Sequence, residues 1–270
     1  MARTRGPSKN LAIVAIIPAR FASTRLPGKP LSDIHGKTMI QRVHERVRLA
    51  RRLDRVLVAT DDERIAAVVR GFGGEVVMTS PEHATGTDRL GEAVGHTDAS
   101  IVVNVQGDEP MLDPAGVDIA VEPLLIEPAL PMATLSLPLT DVDEMLSPAV
   151  VKVVSDARGN ALYFSRSPIP YVRLDPPGDI RAAAEAALAR KVARKHVGLY
   201  VYRREALLRL VSLPQAPLEE AEGLEQLRAL QAGMPIRVVP MNGEGGVAVD
   251  TPQDLDRVRR LLAPDAARVR

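Results

Sequence analysis

The sequence predicts an α/β protein whose core is a doubly wound, mostly parallel β-sheet. Short apolar runs such as IVAII at 13–17 and IVV at 101–103 have the composition of buried strands. Segments with apolar residues at helical spacing separate these runs, and this alternation is typical of parallel strands joined by right-handed crossovers. An apolar content of 46% in 270 residues is sufficient for a sizeable core.

The part of the chain before Pro138 repeats a unit of strand, loop and helix. Thr87 is expected to cap the helix that follows the polar loop at 80–86, because threonine is a common N-cap residue. In chain order, the predicted elements are a strand from Ile13, a helix over 37–53, a strand over 55–60, a helix over 65–71, a strand over 75–78, a helix near Thr87 and a strand from Ile101.

The pattern changes after Pro138, where two apolar segments flank DARG at 156–159 and predict a β-hairpin. We expect an inserted subdomain at about 139–195 within a single domain at 11–263, preceded by a disordered tail at 1–10. The later predicted elements are a strand over 195–203, with Tyr200 and Tyr202 on opposite faces, an amphipathic helix over 218–232, a strand over 236–240 and a helix after Asp250.

Composition and charge exclude several classes of protein. The 35 basic and 34 acidic side chains give a net charge of +1, so no global field favours nucleic acid or a membrane surface. No run reaches the roughly 18 apolar residues that a membrane span requires. The absence of cysteine excludes disulfides, thiolate metal ligands and a cysteine nucleophile. We therefore expect a soluble, cytoplasmic protein.

Several motifs for nucleotide binding, metal binding and hydrolysis are incomplete or missing in this sequence. Gly36, Lys37 and Thr38 resemble the end of a phosphate-binding P-loop, but Leu31 stands where that motif needs its first glycine. The glycines at 71–74 do not open a helix after a strand, so they are not a dinucleotide fingerprint. No histidines stand at metal-ligand spacing, and no serine lies in G-x-S-x-G.

A stiff cationic loop follows the first predicted strand. Arg20, Arg25 and Lys29 lie within ten residues of one another, and Gly28 removes a side chain beside Lys29. Prolines at 18, 27 and 30 restrict the loop, so backbone amides and an ammonium group can face one anion together. The pattern indicates a polyphosphate ligand. The alternative is that these cations are ordinary solvent-exposed charges of a surface loop.

Asp108 and Asp250 each follow a predicted strand directly. In open α/β sheets the carboxyl ends of the strands form the ligand-binding edge, so these carboxylates and the cationic loop are expected to converge. Phosphoryl transfer needs cations on phosphate oxygens and hard oxygen ligands for magnesium. A single aspartate after a strand is, however, more often a turn or cap residue. His196 is likewise compatible with a partly buried structural histidine.

Several strings resemble one enzyme family. IIPARFASTRLPGKPL at 16–31 closely resembles the signature of cytidylyltransferases for 3-deoxy-manno-octulosonate (Kdo). The opening motif is shared more loosely with sialic-acid cytidylyltransferases, whereas the later blocks are specific to the Kdo branch. Those blocks, in the order of the family and spanning nearly the whole chain, are NVQGDEP (104–110), KVVSDARGNALYFSR (152–166), KHVGLYVYR (195–203), LEQLR (224–228) and VDTPQDL (249–255).

The resemblance implies a Rossmann-like nucleotidyltransferase fold, a homodimer with the hairpin at 150–164 in its interface, and a role in lipopolysaccharide biosynthesis. It implies the reaction of CTP with Kdo to CMP-Kdo and pyrophosphate, with magnesium. The implied triphosphate-binding residues are Arg20, Ser23, Arg25 and Lys29, of which Arg20 and Lys29 neutralise the leaving pyrophosphate. The resemblance further assigns Thr87 and Arg89 to the nucleotide site and Asp108 and Asp250 to magnesium binding. It assigns Gln106, His196, Tyr200, Glu225 and Gln226 to the sugar site.

Two alternatives remain open at the level of sequence. One is a cytidylyltransferase for another acidic sugar, such as sialic acid or an 8-amino Kdo analogue. The other is a non-catalytic nucleotide-binding protein, which would be expected to lack Lys29, Asp108 or Asp250, and all three are present. The chain departs from the family in TGTDR at 85–89, where SGTER is usual, and the segment at 174–193 matches no family motif.

Overall fold

The structure is a computed structural model that describes residues 11–22, 26–243 and 245–263. The expected tail at 1–10 lies outside the described residues, as do Ser23 and Arg25. The strands are β1 (Ile13–Ala19), β2 (Asp33–Ile34), β3 (Lys37–Thr38), β4 (Arg55–Thr60), β5 (Glu75–Met78), β6 (Ile101–Asn104), β7 (Met132–Pro138), β8 (Lys152–Ser155), β9 (Ala161–Ser165), β10 (Arg194–Arg203) and β11 (Ile236–Pro240).

The helices lie between these strands, and one 3₁₀ turn, Lys29–Leu31, follows β1. The helices are α1 (Met39–Val47), α2 (Glu63–Gly71), α3 (Gly86–Gly95), α4 (Pro114–Ile126), α5 (Val142–Leu146), α6 (Ile180–Ala189), α7 (Arg204–Ser212), α8 (Pro217–Glu222), α9 (Gln226–Gln231) and α10 (Pro252–Leu261). None of these helices has the length and hydrophobicity needed to cross a lipid bilayer.

One mixed sheet organises the fold, with the strand order β11-β7-β10-β6-β1-β4-β5. Strands β6, β1, β4 and β5 run parallel to one another, and β7 is parallel to β11. Strand β10 is antiparallel to both of its neighbours, β6 and β7. The predicted mostly parallel α/β sheet is therefore confirmed. Strand β10 is antiparallel within this order, and the β8–β9 hairpin joins the sheet by antiparallel pairing of β8 with β10.

Both faces of the sheet are covered by helices, which explains why β1 is apolar throughout. Ala15 and Ile17 pack toward the face covered by α1, α2 and α4, whereas Val14 and Ile16 pack toward the face covered by α3, α7 and α9. All four side chains are fully buried. Burying a side chain the size of Ile16 or Ile17 contributes roughly 1.5–3 kcal/mol, so this central strand stabilises both layers.

The predicted hairpin is present as β8 and β9, which pair with Val153 opposite Phe164. The carboxylate of Asp156 holds the turn because it accepts hydrogen bonds from the backbone N–H groups of Arg158 and Asn160. A small apolar cluster joins α5 to α6 and lies apart from the two main clusters. The boundaries proposed for the domain and its inserted subdomain remain predictions.

Four sequence-based expectations were wrong in detail. The helix expected over 37–53 is shorter, because 37–38 form β3 and the helix ends at Val47. Thr85, not Thr87, caps α3, because Thr85 forms a reciprocal capping box with Asp88.

The other two corrections concern the second half of the chain. The helix expected over 218–232 is divided into α8 and α9, because Gly223 adopts a left-handed conformation (φ 60°) that ends α8. Tyr200 and Tyr202 lie on the same face of β10 with their rings stacked 5.9 Å apart, since side chains two residues apart in a strand point the same way.

Candidate active site

Three charged side chains meet where β1 and β6 end. The Nζ atom of Lys29 donates a hydrogen bond to Oδ2 of Asp108 at 2.6 Å and another to Oδ1 of Asp250 at 3.2 Å. These carboxylates lie 79 and 221 residues away from Lys29 in the chain. The two aspartates and the cationic loop therefore converge at the carboxyl edge of the sheet, where such folds bind ligands.

Local backbone geometry places each of these side chains. Gly28 has φ 70°, a left-handed conformation suited to glycine, and it precedes the 3₁₀ turn that starts at Lys29. Gly107 permits close approach of the loop after β6, because an added Cβ atom would lie 2.9 Å from the carbonyl oxygen of Pro18. The backbone N–H of Val249 donates to the carbonyl oxygen of Asp108 at 2.9 Å and thereby brings Asp250 to the site.

A cleft of about 300 Å³ extends from these carboxylates along the end of β1. Lys29, Asp108 and Asp250 line one part of it together with the exposed Arg20, and Gln106 also contributes. Residues 83–86 and Arg89 line the remainder. The cleft thus has a strongly charged part and a part formed largely by the loop before α3, an arrangement that suits a nucleoside bearing a polyphosphate.

Arg89 and Thr87 are both buried and contact other protein side chains, and Arg89 also lines the cleft. Arg89 is buried, forms an ion pair with Asp61 at 3.1 Å and donates to the hydroxyl of Thr79. Thr87 is also buried, and its hydroxyl donates to Oε2 of Glu225 at 2.7 Å. Both residues therefore support their surroundings through contacts within the protein.

Thr85 was not identified as a site residue from the sequence. Its hydroxyl donates to Oε1 of Glu225 at 2.9 Å, and the hydroxyl oxygen of Thr85 accepts a hydrogen bond from the backbone N–H of Asp88 at 3.1 Å. Burial raises the pKa of Glu225. The two threonine hydroxyls accordingly hold the Glu225 carboxylate between the N-terminus of α3 and the start of α9. The spacing of Thr85 and Asp88 in TGTDR was the available sequence signal.

Gln106 connects the cleft to β10, whose side chains His196 and Tyr200 do not line the cleft itself. The side-chain amide of Gln106 donates to the carbonyl oxygen of Gly198 at 3.4 Å, where β10 carries a bulge. The ring of His196 lies 5.1 Å from the Phe164 ring and 5.3 Å from the Tyr200 ring. Gln226 is buried next to Glu225 at the start of α9.

His196 is held neutral by its surroundings. Its Nε2 atom lies 2.9 Å from the hydroxyl oxygen of Thr134, and burial lowers the pKa of the imidazole to about 3. A neutral imidazole has one N–H donor and one acceptor nitrogen, so it is suited to hydrogen-bonding sugar hydroxyls and not to neutralising an anion.

The depressed pKa of His196 predicts a specific pH dependence of stability. Between about pH 6.5 and the folded pKa of about 3, the unfolded chain binds a proton at this residue that the folded protein does not. Stability is therefore lost as pH falls through that window. Between about pH 7 and pH 4.5, the free energy of unfolding measured in urea should fall by roughly 1–2 kcal/mol more in the wild type than in the His196→Asn variant. His96→Asn, at an exposed position, controls for loss of an imidazole; an equal loss in all three proteins would contradict the prediction.

The donor set at the charged end of the cleft fits magnesium. No group of three or more histidine, cysteine or acidic side chains arranged for a metal occurs in the described part of the chain. Asp108 and Asp250 nevertheless place carboxylate oxygens around one ammonium group. Magnesium is commonly held by one or two carboxylates, with waters and substrate phosphates completing its coordination. Two convergent carboxylates at the charged end of the cleft are therefore an adequate protein contribution to a magnesium site.

Comparison with known proteins identifies the family. A family model described as cytidylyltransferase matches residues 14–236. A 3-deoxy-manno-octulosonate cytidylyltransferase from Syntrophotalea carbinolica is 55% identical over 252 residues, which cover 93% of this chain and 99% of that protein. The chain belongs to the 3-deoxy-manno-octulosonate cytidylyltransferase family. The resemblance inferred from the sequence blocks is thereby confirmed.

Further Kdo cytidylyltransferases and solved structures agree with this assignment. The enzyme of that name from Geobacter sulfurreducens is 55% identical over 93% of this chain and 99% of its own length. The structure of CMP:2-keto-3-deoxy-manno-octonic acid synthetase complexed with CTP matches with a TM-score of 0.84 and 44% identity, covering 94% of this chain and 99% of that one. The nucleotidyltransferase fold expected from the sequence is thus confirmed.

Proposed function

We propose that this Kdo cytidylyltransferase family member transfers the cytidylyl group of CTP to Kdo and releases pyrophosphate. The observation that carries this proposal is the convergence of Lys29, Asp108 and Asp250 at the charged end of the cleft. Phosphoryl transfer depends mainly on positioning and charge stabilisation, and this constellation offers both. The family membership supports CTP and Kdo as the substrates.

In this mechanism the anomeric hydroxyl of Kdo attacks the α-phosphorus of CTP in line. A new sugar O–P bond forms, the bond from the α-phosphorus to the bridging oxygen breaks, and pyrophosphate leaves while the hydroxyl proton passes to solvent. Arg20 and Lys29 bind the oxygens that become pyrophosphate and stabilise the negative charge that develops on them. The sugar acid is oriented by Gln106, which contacts β10 at Gly198, and by four further side chains, His196, Tyr200, Glu225 and Gln226.

Asp108 and Asp250 would hold magnesium at the charged end of the cleft. When bound, magnesium supplies positive charge at the transferring phosphoryl group and lowers the pKa of the attacking hydroxyl. Lys29 contacts both carboxylates, so it also sets their spacing. We further propose Ser23 and Arg25, by family resemblance, as triphosphate-binding residues.

Pyrophosphate release from CTP, measured with Kdo, sialic acid and an 8-amino Kdo analogue in parallel, tests the proposal. Turnover should be greatest with CTP and Kdo, should cease when EDTA is added and should return with excess magnesium. If turnover is faster with sialic acid or with the 8-amino Kdo analogue, that sugar acid is the substrate and Kdo is not. Tight CTP binding without magnesium-dependent turnover would instead favour the non-catalytic alternative.

We also propose that the protein acts as a homodimer in the cytoplasm, in lipopolysaccharide biosynthesis. The dimer proposal is supported by the hairpin of β8 and β9, which carries an apolar side chain, Leu162, that is 63% exposed. An exposed apolar side chain on a hairpin is consistent with a protein interface. The cytoplasm is proposed because CTP is made and consumed there. Sedimentation of wild type and Leu162→Glu tests the interface: a wild-type monomer, or a variant dimer of unchanged affinity, would exclude it.

The contacts of Thr87 predict that it acts on the sugar side of the site. Thr87→Val removes a hydrogen bond to the Glu225 carboxylate without a large change in volume. We expect KM for Kdo to rise about 10-fold, because hydrogen bonds to charged groups contribute about 1.5–3 kcal/mol, while KM for CTP stays within about 2-fold. Thr87→Ser should restore the affinity, and Thr97→Val at the far end of α3 is the control. A rise in KM for CTP alone would show that Thr87 acts at the nucleotide site, as the family resemblance implies.

A further inference from the structure

The turn that carries Lys29 rests on an aromatic ring that has no place in the mechanism above. The backbone N–H of Gly28 donates to the carbonyl oxygen of Phe21 at 3.1 Å. A Cβ atom added to Gly28 would lie 3.2 Å from Cζ of the Phe21 ring, so the ring lies directly against the backbone of the turn. Because Gly28 immediately precedes Lys29, the position of this ring helps to set the start of the lysine side chain.

Phe21 is itself held from α2. The guanidinium carbon of Arg64 lies 3.4 Å from the centroid of the Phe21 ring, which is the geometry of a cation–π contact. Phe21 is also partly buried against the main apolar cluster on one face of the sheet. The ring therefore has a defined position between the core, the turn at Gly28 and the guanidinium group.

Arg64 is fixed in turn by the N-cap of its own helix. Asp62 accepts hydrogen bonds from Nε of Arg64 at 3.0 Å and from Nη2 at 2.6 Å. The same carboxylate accepts the backbone N–H of Arg64 at 2.9 Å and so caps α2. A bidentate pair of this kind orients the plane of the guanidinium group. A continuous set of contacts thus connects the end of β4 to the lysine that holds Asp108 and Asp250.

We propose that Phe21 and Arg64 are positioning residues that set the place of Lys29 over the two carboxylates. The proposal rests on the proposed function, in which Lys29 binds the triphosphate. Displacing a catalytic group by about 1 Å can cost about 100-fold in rate, so support of this kind has a catalytic consequence that exceeds its contribution to stability. Both residues act through Lys29 and need not touch a substrate.

The first test compares Phe21→Ala with Phe72→Ala. Phe72 is also partly buried against the same cluster, but it packs against His44 and lies away from the cleft. At a temperature where both variants are folded, Phe21→Ala should lower kcat about 10- to 100-fold and weaken CTP binding, with KM for Kdo unchanged. Phe72→Ala should keep wild-type kcat despite comparable destabilisation. Wild-type kcat in Phe21→Ala, or an equal loss in Phe72→Ala, would overturn the proposal.

The second test isolates Arg64. Arg64→Ala should weaken CTP binding about 3-fold in the wild type and have no effect in the Phe21→Leu background, because leucine has no aromatic face. Arg70→Ala, which removes an exposed ion pair to Glu63 on the same helix, should leave CTP binding unchanged. Equal effects of Arg64→Ala in both backgrounds would overturn the role of Arg64. Phe21→Leu also replaces Phe21→Ala in the first test if the alanine variant does not fold.

Calorimetric titration with CTP alone separates this proposal from the proposed function. Failure of the wild type to turn over Kdo would reject the substrate assignment but leave the titration interpretable. Normal wild-type turnover combined with unchanged CTP affinity in both Phe21→Ala and Phe21→Leu would reject the positioning role alone.

Discussion

Replacing Asp108 with Asn should lower kcat about 10²- to 10³-fold while the protein remains folded. The substitution keeps the shape of the side chain but removes the negative charge that faces Lys29 at 2.6 Å and that is proposed to hold magnesium. Because charge stabilisation of the transferring phosphoryl group is the main task of this site, losing one carboxylate should affect the rate strongly. Initial rates at saturating CTP, Kdo and magnesium measure the effect.

The stability of Asp108→Asn should change little. The side chains of Lys29 and Asp108 are 16% and 24% exposed, and partly exposed ion pairs of this kind contribute about 0–1 kcal/mol. Asp98→Asn is the control, because Asp98 is 78% exposed and forms a surface ion pair with Arg55 at 3.6 Å. Near wild-type turnover in Asp108→Asn, or an equal loss in Asp98→Asn, would remove Asp108 from the mechanism.

Lys29→Gln should reduce kcat/KM for CTP about 10²- to 10³-fold. The ammonium group contacts both carboxylates and faces the charged part of the cleft. Its loss should remove a proposed ligand of the triphosphate and reduce the positive charge beside Asp108 and Asp250. Lys29→Arg should not restore activity, because a planar guanidinium group does not reproduce the compact charge that fits between two carboxylates.

The control for Lys29→Gln is Lys37→Gln. Lys37 forms a surface ion pair with Glu45 at 2.7 Å, and both side chains are about two-fifths exposed (41% and 42%). Its loss should leave kcat/KM unchanged. Titration with CTP and thermal unfolding of both variants distinguish a lost ligand contact from a damaged fold. Full activity in Lys29→Gln, or full rescue by Lys29→Arg, would show that this ammonium group is not required.

Sequence patterns predicted the buried strands and helices well, because the formation of these elements depends mainly on the apolar residues within each segment. The run at Ile13–Ala19 is apolar throughout and stops in a loop rich in proline and glycine, which identifies a strand buried on both faces. The patterns failed where one backbone angle decides the outcome. Apolar spacing continues through Gly223, so periodicity alone does not show that α8 ends there. The choice between Thr85 and Thr87 as the cap depends on Asp88, whose side chain completes a capping box with Thr85.

Apolar runs, the composition of the loop after β1 and the ordered sequence blocks were enough to predict the fold class, a polyphosphate-binding loop and the resemblance to Kdo cytidylyltransferases. Which of these residues meet depends on the tertiary fold. Pairing of β1 with β6 and the contact of Val249 with Asp108 bring Asp108 and Asp250 to the ammonium group of Lys29. These two aspartates are 79 and 221 positions away from Lys29 in the chain. The fold also turned Thr87 toward Glu225 and placed Phe21 beneath Gly28. Local propensity does not encode such contacts, because they depend on strand order and on the way distant loops pack at one sheet edge.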